Sequence, residues 1–273
     1  RGVKVSPDVD LNSIAKATPG AVGADLANII NEAALRAVKN HRFQVNQGDL
    51  EEAVEVIIAG KEKKDRILSP EEKQQVAFHE VGHALVAALL KHTDPVHKIT
   101  IVPRTMGSLG YTMQLPEEEK YLNTKAEMLD QICVMLGGRS AEEVKFNSIS
   151  TGAANDIERA TQAARRMVTI YGMTDRFDMM GLESMQNRYL DGRPAQNCSA
   201  ETASIIDEET LKIIRMCHKK ARALLKDNIE LLIIISKRLI EKETLMGDEF
   251  MGIIKEYKEK KKEESSKGNL ISD

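Results

Sequence analysis

Residues 76–90 read VAFHEVGHALVAALL, an apolar segment that carries His79, Glu80 and His83 in its middle. Ala77, Phe78, Val81, Ala84, Leu85, Ala88 and Leu89 surround that trio, so the segment is apolar nearly all round and reads as a helix buried on most sides. Unpartnered imidazoles and a carboxylate inside such a helix cost several kcal/mol of desolvation. The fold must therefore bring something to these three residues that compensates them. On an α-helix four residues advance about 400°, which puts the two imidazoles on nearly one face, about 6 Å apart along the axis. Both reach a single ion, and Glu80, about 100° round from His79, addresses a water beside that ion without being a ligand. With 6 histidines and 42 acidic residues among 273, the spacing arises by accident only about 0.02 times in a chain of this composition. Gly82 adds to the reading, since a glycine inside a helix costs about 1 kcal/mol relative to alanine and makes sense where another backbone passes close.

The bulk composition narrows the classes. At 273 residues the chain exceeds one ordinary domain. A hydrophobic fraction of 42% with 30% charged residues fits a soluble globular protein rather than a membrane bundle. The formal charge of -3 gives no reason to expect a nucleic-acid partner. Aromatics make up 4%, with no Trp and 12 Met, so the core is built from the better helix formers and the fold is expected to be mainly α. Cys133, Cys198 and Cys217 are odd in number and widely spaced, which argues against both a disulfide framework and a thiolate metal site. The most apolar run, IELLIIISKRLI at 229–240, meets Lys237 and Arg238 well before the roughly 20 residues of a bilayer span. RGVKVSPDVD at the start is no signal peptide and lacks an initiator Met, so the chain is read as a soluble piece of something longer.

Along the chain, Ser6 or Asp8 is expected to cap a first short helix containing Leu11 and Ile14, with Pro19-Gly20 as its stop. GADLANIINEAALRAVKN forms a second, with one stripe from Leu26 to Ala37, and NQGDLEEAVEVIIAG a third, capped by Asp49. The charged KEKKDRILSPEEK stretch marks a boundary, which divides the chain into 1–62, 63–258 and a charged tail, 259–273, expected to be disordered. Ser69 with Pro70 opens the motif helix. Residues 98–115, KITIVPRTMGSLGYTMQL, are the main β-like stretch and predict a short hairpin or edge strand, broken at Pro103 and Gly107. Helices are expected again over 124–137, 154–171 and a long region from about 200 to 258, with a patternless loop over 173–199.

The third ligand stays open on these grounds. His92 and His97 are read as serving a turn or the surface, because Asp94-Pro95 ends the helix before His97. Glu142 and Glu143 follow Gly137-Gly138 on a probable helix, and Asp156 sits in a first helical turn after the small residues Ser150, Thr151 and Gly152. Spacing alone does not choose among the three carboxylates.

FHEVGHALV, DPVHKITIVPR, LGYTMQLPEE, LGGRSAEE, STGAANDIERAT and ASIIDEETLKII, in that order, resemble the protease domain of the FtsH-type ATP-dependent zinc metalloproteases. The upstream ATPGAVGADLANIINEAALRAV resembles the helical lid that ends the AAA ATPase module of those enzymes, and the likeness runs over roughly residues 7 to 257. It implies a helical AAA lid (1–62) followed by a mostly helical zinc peptidase domain (63–258) with a short β hairpin or edge strand. It also implies Zn2+ on His79, His83 and Asp156, with Glu80 as catalytic base, which moves Asp156 ahead of Glu142 and Glu143. For a longer parent protein the resemblance implies a homo-hexameric ring, ATP-driven feeding of unfolded or membrane protein substrates, and a preceding membrane anchor with this portion on the cytoplasmic side. Val81 departs from the family's usual Ala, and the phosphate-cradling G-x-x-x-x-G-K-[ST] loop is absent, so no ATP hydrolysis is expected of this chain. Gly23-Ala24-Asp25 offers at most one wall of a nucleotide site. An exposed edge within 98–115 would bind an extended polypeptide by adding a strand beside the metal, through main-chain hydrogen bonds that ignore sequence. The competing expectation is a non-catalytic oligomerisation module with a structural metal site, which requires a fourth protein ligand.

Overall fold

The computed structural model describes residues 2–18, 20–63, 68–105, 109–116, 120, 122–185, 194–196 and 198–269. Pro19, residues 64–67 of the charged junction, the Gly107 break and residues 270–273 of the tail thus lie outside the described residues.

Three helices build the first unit: α1 (Leu11–Lys16), α2 (Gly23–Lys39) and α3 (Gln47–Ala59). Their apolar stripes meet in a small core of Ile14, Ile29, Ala33, Ala37, Val45, Leu50, Ala53 and Val54. The caps differ from those expected. Asp10, rather than Ser6 or Asp8, accepts from Asn12 N and Ser13 N and starts α1, because it sits immediately before the first helical residue, where the orphan N–H groups point. Asn46 caps α3, and Asp49 three residues on completes the reciprocal pair by accepting from Asn46 N at 3.0 Å.

The second unit is organised around α4 (Pro70–Leu89), opened by Ser69 and Glu72 in a capping box with Pro70 in the first turn. Residues 77–87 of this helix are all buried. Around it pack α5 (Lys125–Met135), α6 (Gly137–Phe146), α8 (Ala200–Asp227) and α9 (Ile229–Lys242), while α7 (Ala154–Thr169) packs on α5 and α8. Phe78 meets Phe146 edge-on, with centroids 5.3 Å apart. Burying side chains such as Phe78, Leu85 and Ile132 stabilises the fold by about 1.5–3 kcal/mol each. Gly82 is the point of closest approach: a Cβ there would stand 2.6 Å from Gly137 O and 2.6 Å from Ala141 Cβ. The expectation of a passing backbone at this glycine is met by α6.

Antiparallel strands β1 (Val96–Thr100) and β2 (Tyr111–Gln114) form the expected hairpin, with β2 at the edge of a sheet ordered β2-β1-β5. The third strand, β5 (Thr244–Met246), interrupts the long helical region expected over 200–258, which is divided into α8, α9, β5 and α10 (Gly247–Asn269). Glu243, at φ 61, ends α9 in the left-handed region and turns the chain onto β1. Periodicity misses that break because Thr244-Leu245-Met246 is as apolar as the helices around it. Within the 173–199 segment, read as loop, β3 (Glu183–Met185) pairs with β4 (Pro194–Gln196). The intervening 186–193 lie outside the described residues. α10 enters the charged segment from residue 259 that was expected to lack order. No described helix is long and apolar enough to cross a membrane.

The two units touch through a short backbone pairing, with Lys63 N donating to Pro103 O at 2.9 Å and Thr105 N to Lys61 O at 2.8 Å.

Candidate metal centre

The motif residues owe their positions to α4. His79 and His83, one turn apart, both project toward α7, and their Nε2 atoms stand 3.0 Å from each other. Asp156, in the first turn of α7, brings its Oδ2 to 3.2 Å from His79 Nε2 and 3.5 Å from His83 Nε2. One ligand atom from each of His79, His83 and Asp156 lies within 4.8 Å of the others, and this is the metal-capable cluster among the described residues.

What equips the cluster to hold a cation is the other side of each ring. His79 Nδ1 faces Glu142 Oε1 at 2.7 Å, and His83 Nδ1 faces the Val134 carbonyl at 2.7 Å. A carbonyl and a carboxylate only accept, so each Nδ1 carries the proton and donates it. Each Nε2 is then the ring nitrogen turned toward the other ring and toward the Asp156 carboxylate. Neutral rings and an ionised Asp156 would bring three acceptors together there, so a positive charge, either a proton or a metal cation, must stand among them. In the metal-free chain the proton takes that place. Burial opposes a charged imidazole at His79, yet Asp156 and Glu142 overcome it and raise its pKa to about 10. Burial pushes Asp156 up, but its hydrogen bonds to His79 and His83 prevail and hold it below the usual carboxylate range. The donor set, two imidazole nitrogens and one carboxylate with an open side, is the kind that suits zinc in a catalytic site.

Glu80 is not part of the trio. Burial raises its pKa against the pull of His83 and His79, and its Oε2 accepts from Thr112 Oγ1 on β2 at 3.0 Å. A cleft of about 1540 Å³ opens over the cluster, walled by Ala21 and Ile57 of the first unit and by Tyr111, Met113, Met135 and Asn155.

The other candidates fall elsewhere. Glu142 approaches the back of His79 rather than its Nε2 and also accepts from Ser150 N at 2.9 Å. Glu143 turns to His218, 3.2 Å away, and to Arg222. His92 lies beyond α4 and His97 within β1, neither in the cluster. Sequence reasoning did not find Thr112, Val134 or Gly138. Gly138 lies so close to the His79 ring that a Cβ would stand 2.4 Å from Nε2. The Gly137-Gly138 pair was the available signal; a threonine in a strand and a main-chain carbonyl leave none.

The model of peptidase family M41 matches residues 66–253, which is more than half of the chain. The chain belongs to peptidase family M41. The AAA+ lid domain model matches residues 8–52 of this M41 chain. Among its relatives, the ATP-dependent zinc metalloprotease FtsH of Clostridium perfringens is 70% identical over 274 residues, covering 100% of this chain and 38% of the relative. The protein of the same name from Lancefieldella parvula is 53% identical over 93% of this chain and 39% of its own length. ATP-dependent zinc metalloprotease FtsH 3 of Petrotoga mobilis is 47% identical over 93% of this chain and 40% of its own. The chain therefore spans about two fifths of the length of the curated relatives it matches.

Proposed function

We propose that this chain is the zinc-dependent endopeptidase portion of a longer ATP-dependent protease that hydrolyses peptide bonds of unfolded or membrane proteins. The observation that carries the reading is the convergence of His79 Nε2, His83 Nε2 and Asp156 Oδ2, with the Nδ1 of both rings already engaged, beside a buried carboxylate that is not among them. In this reading residues 1–62 are the lid of an AAA module, 63–258 the peptidase domain and 259–273 a charged tail. The names of the relatives support ATP dependence and zinc. The parent is a homo-hexamer, anchored by a membrane segment outside this chain, with the peptidase on the cytoplasmic side and ATP bound elsewhere in the parent.

His79, His83 and Asp156 are the zinc ligands. Zinc, when bound, supplies a Lewis acid that lowers the pKa of water to about 7 and polarises a peptide carbonyl. Glu142 and the Val134 carbonyl keep both histidines in the tautomer that presents Nε2. Glu80 takes the proton of the attacking water and returns it to the leaving amine; Thr112 keeps one of its oxygens engaged so that the other is available. The open edge of β2 aligns an extended substrate by main-chain pairing.

A structural metal site in an assembly module requires a fourth protein ligand, and the cluster among the described residues has three. The deciding experiment is Glu80→Gln. Cleavage of casein falls by about 10²–10⁴-fold with zinc content unchanged, and an active variant refutes the assigned base. Asp156→Ala loses zinc by elemental analysis; normal stoichiometry would remove it from the ligand set.

A further inference from the structure

One buried carboxylate of the first unit reaches across to the cleft. Glu55, on α3 and 7% exposed, accepts from Lys98 Nζ at 2.6 Å, from Arg104 Nη2 at 2.6 Å and from the Tyr111 hydroxyl. Arg104 is itself only 1% exposed and extends the junction, with Nη1 3.3 Å from both Gly60 O and Glu52 Oε1. Lys98 belongs to β1, Arg104 to the connection between β1 and β2, and Tyr111 opens β2. A residue of the helical unit thus closes the base of the hairpin that borders the metal centre.

From Tyr111 the next residue touches the proton-transferring group. Successive strand side chains point to opposite faces, so Tyr111 turns to Glu55 while Thr112 turns to Glu80. Gly110 lies directly on Glu80: a Cβ there would stand 3.0 Å from Glu80 Cγ and 2.7 Å from Thr100 O. Thr112 Oγ1 has two acceptors within reach, Glu80 Oε2 at 3.0 Å and the Glu80 carbonyl at 2.9 Å. A hydroxyl has one proton to donate, so a small displacement of β2 decides which acceptor it serves. The metal-facing atoms of His79, His83 and Asp156 are held by α4 and α7, and their hydrogen bonds among the described residues are to one another rather than to Tyr111 or Thr112.

We propose that Glu55 is a positioning residue for the peptidase reaction: by gripping Tyr111 it fixes the start of β2 against Glu80, so that docking of the lid sets the aim of the carboxylate. This rests on the reading of Glu80 as the general base. Lid displacement then slows catalysis while zinc stays bound, which makes the state of an ATPase module legible to the peptidase through one side chain.

The test uses the zinc-loaded 273-residue chain, a quenched fluorescent unstructured peptide, and the variants Tyr111→Phe, Glu55→Gln, Thr112→Val and Glu80→Gln. Tyr111→Phe removes one hydroxyl and leaves the ring packed, so it stays informative even where a Glu55 change unfolds the junction. The expected result is a kcat about tenfold lower in Tyr111→Phe and in Thr112→Val. Zinc stoichiometry stays at the native value, and deuterium exchange is faster at the β2 amides in Tyr111→Phe. Because the two residues act in series, the double variant Tyr111→Phe/Thr112→Val loses no more than either single one, and Thr112→Ser restores the rate. Multiplying losses, a native kcat in Tyr111→Phe, or loss of zinc in that variant each overturn the proposal. Full activity in Glu80→Gln refutes the function itself, whereas an inactive Glu80→Gln beside a fully active Tyr111→Phe refutes only the positioning.

Discussion

Glu142 holds His79 from behind: its Oε1 lies 2.7 Å from His79 Nδ1, while Nε2 of the same ring faces Asp156. Burial pushes the Glu142 carboxyl up, but His79 and Ser150 hold it below its ordinary value, so it meets the ring as an anion. A ligand's outer partner of this kind sets ring orientation and basicity. Glu142→Gln is therefore expected to weaken zinc binding by about 10–100-fold with the fold intact, measured by competition with a chromogenic chelator. Glu143→Gln, whose carboxylate faces His218 and Arg222, should leave affinity unchanged. Equal effects from the two would remove the outer-partner role.

Chelation makes stability depend on pH through His79. In the folded, metal-free chain its pKa is about 10, against 6.5 for the ordinary side chain. A raised folded value means that the native state holds the proton more tightly, so this contribution is complete below about pH 6.5 and is lost as pH rises through about 10. With EDTA present, the melting temperature should fall between pH 7 and 10, and the difference from His79→Gln should narrow over that window. A constant difference would show that the imidazole does not titrate this way. Zinc displaces the same proton, so its affinity should rise with pH over the same range.

Two glycines separate packing from ligand geometry. In Gly82→Ala the new methyl meets Gly137 O at 2.6 Å, and the overpacking cost of about 1–3 kcal/mol exceeds the gain in helix propensity of about 1 kcal/mol. The expected result is a lower melting temperature. In Gly138→Ala the methyl meets the His79 ring, a side chain that can be pushed aside, so loss of zinc should dominate over loss of stability. Calorimetry and metal analysis on both variants distinguish the two, and a Gly138→Ala protein with native zinc content would contradict the geometry.

Asp49 is the electrostatic centre of the helical unit. It is buried, pairs with both Arg42 terminal nitrogens, accepts from Asn46 N at 3.0 Å and lies 3.5 Å from Arg36. The hydrogen bonds to Arg42 lead in holding its pKa below 3.8, against burial. A depressed folded value gives stability that is present above about pH 3.8 and lost as pH falls through the folded pKa. Asp49→Asn should cost about 2 kcal/mol at neutral pH, and the gap to the native chain should close in acid. Urea titrations at pH 7 and at pH 3 measure it; a gap of equal size at both would contradict the assignment.

The site was legible where chemistry is local and illegible where it depends on distant chain. His79 and His83 share a face because the helical repeat is rigid, and the apolar frame from Ala77 to Ala87 announced burial. Nothing within the first turn of α7 says which carboxylate reaches the pair, since the choice among Asp156, Glu142 and Glu143 is made by how α6 packs on α4 and how α5 and α8 carry α7. Ser69 and Pro70 advertised the start of α4, whereas for α1 the candidates Ser6 and Asp8 were both passed over and geometry selected Asp10. β5 left no alternation because three residues are too few to display a period of two. The Glu55 junction was invisible for the same reason as Asp156: Glu55 and Tyr111 stand 56 positions apart.

β2 pairs with β1 on one side and borders the cleft on the other. In the proposed function that second side pairs with any chain that still has amides and carbonyls to spare, which a protein folded into sheets and helices does not. On that proposal, discrimination between a damaged molecule and a sound one is settled before any side chain is inspected, by whether the visitor arrives with an unclaimed backbone.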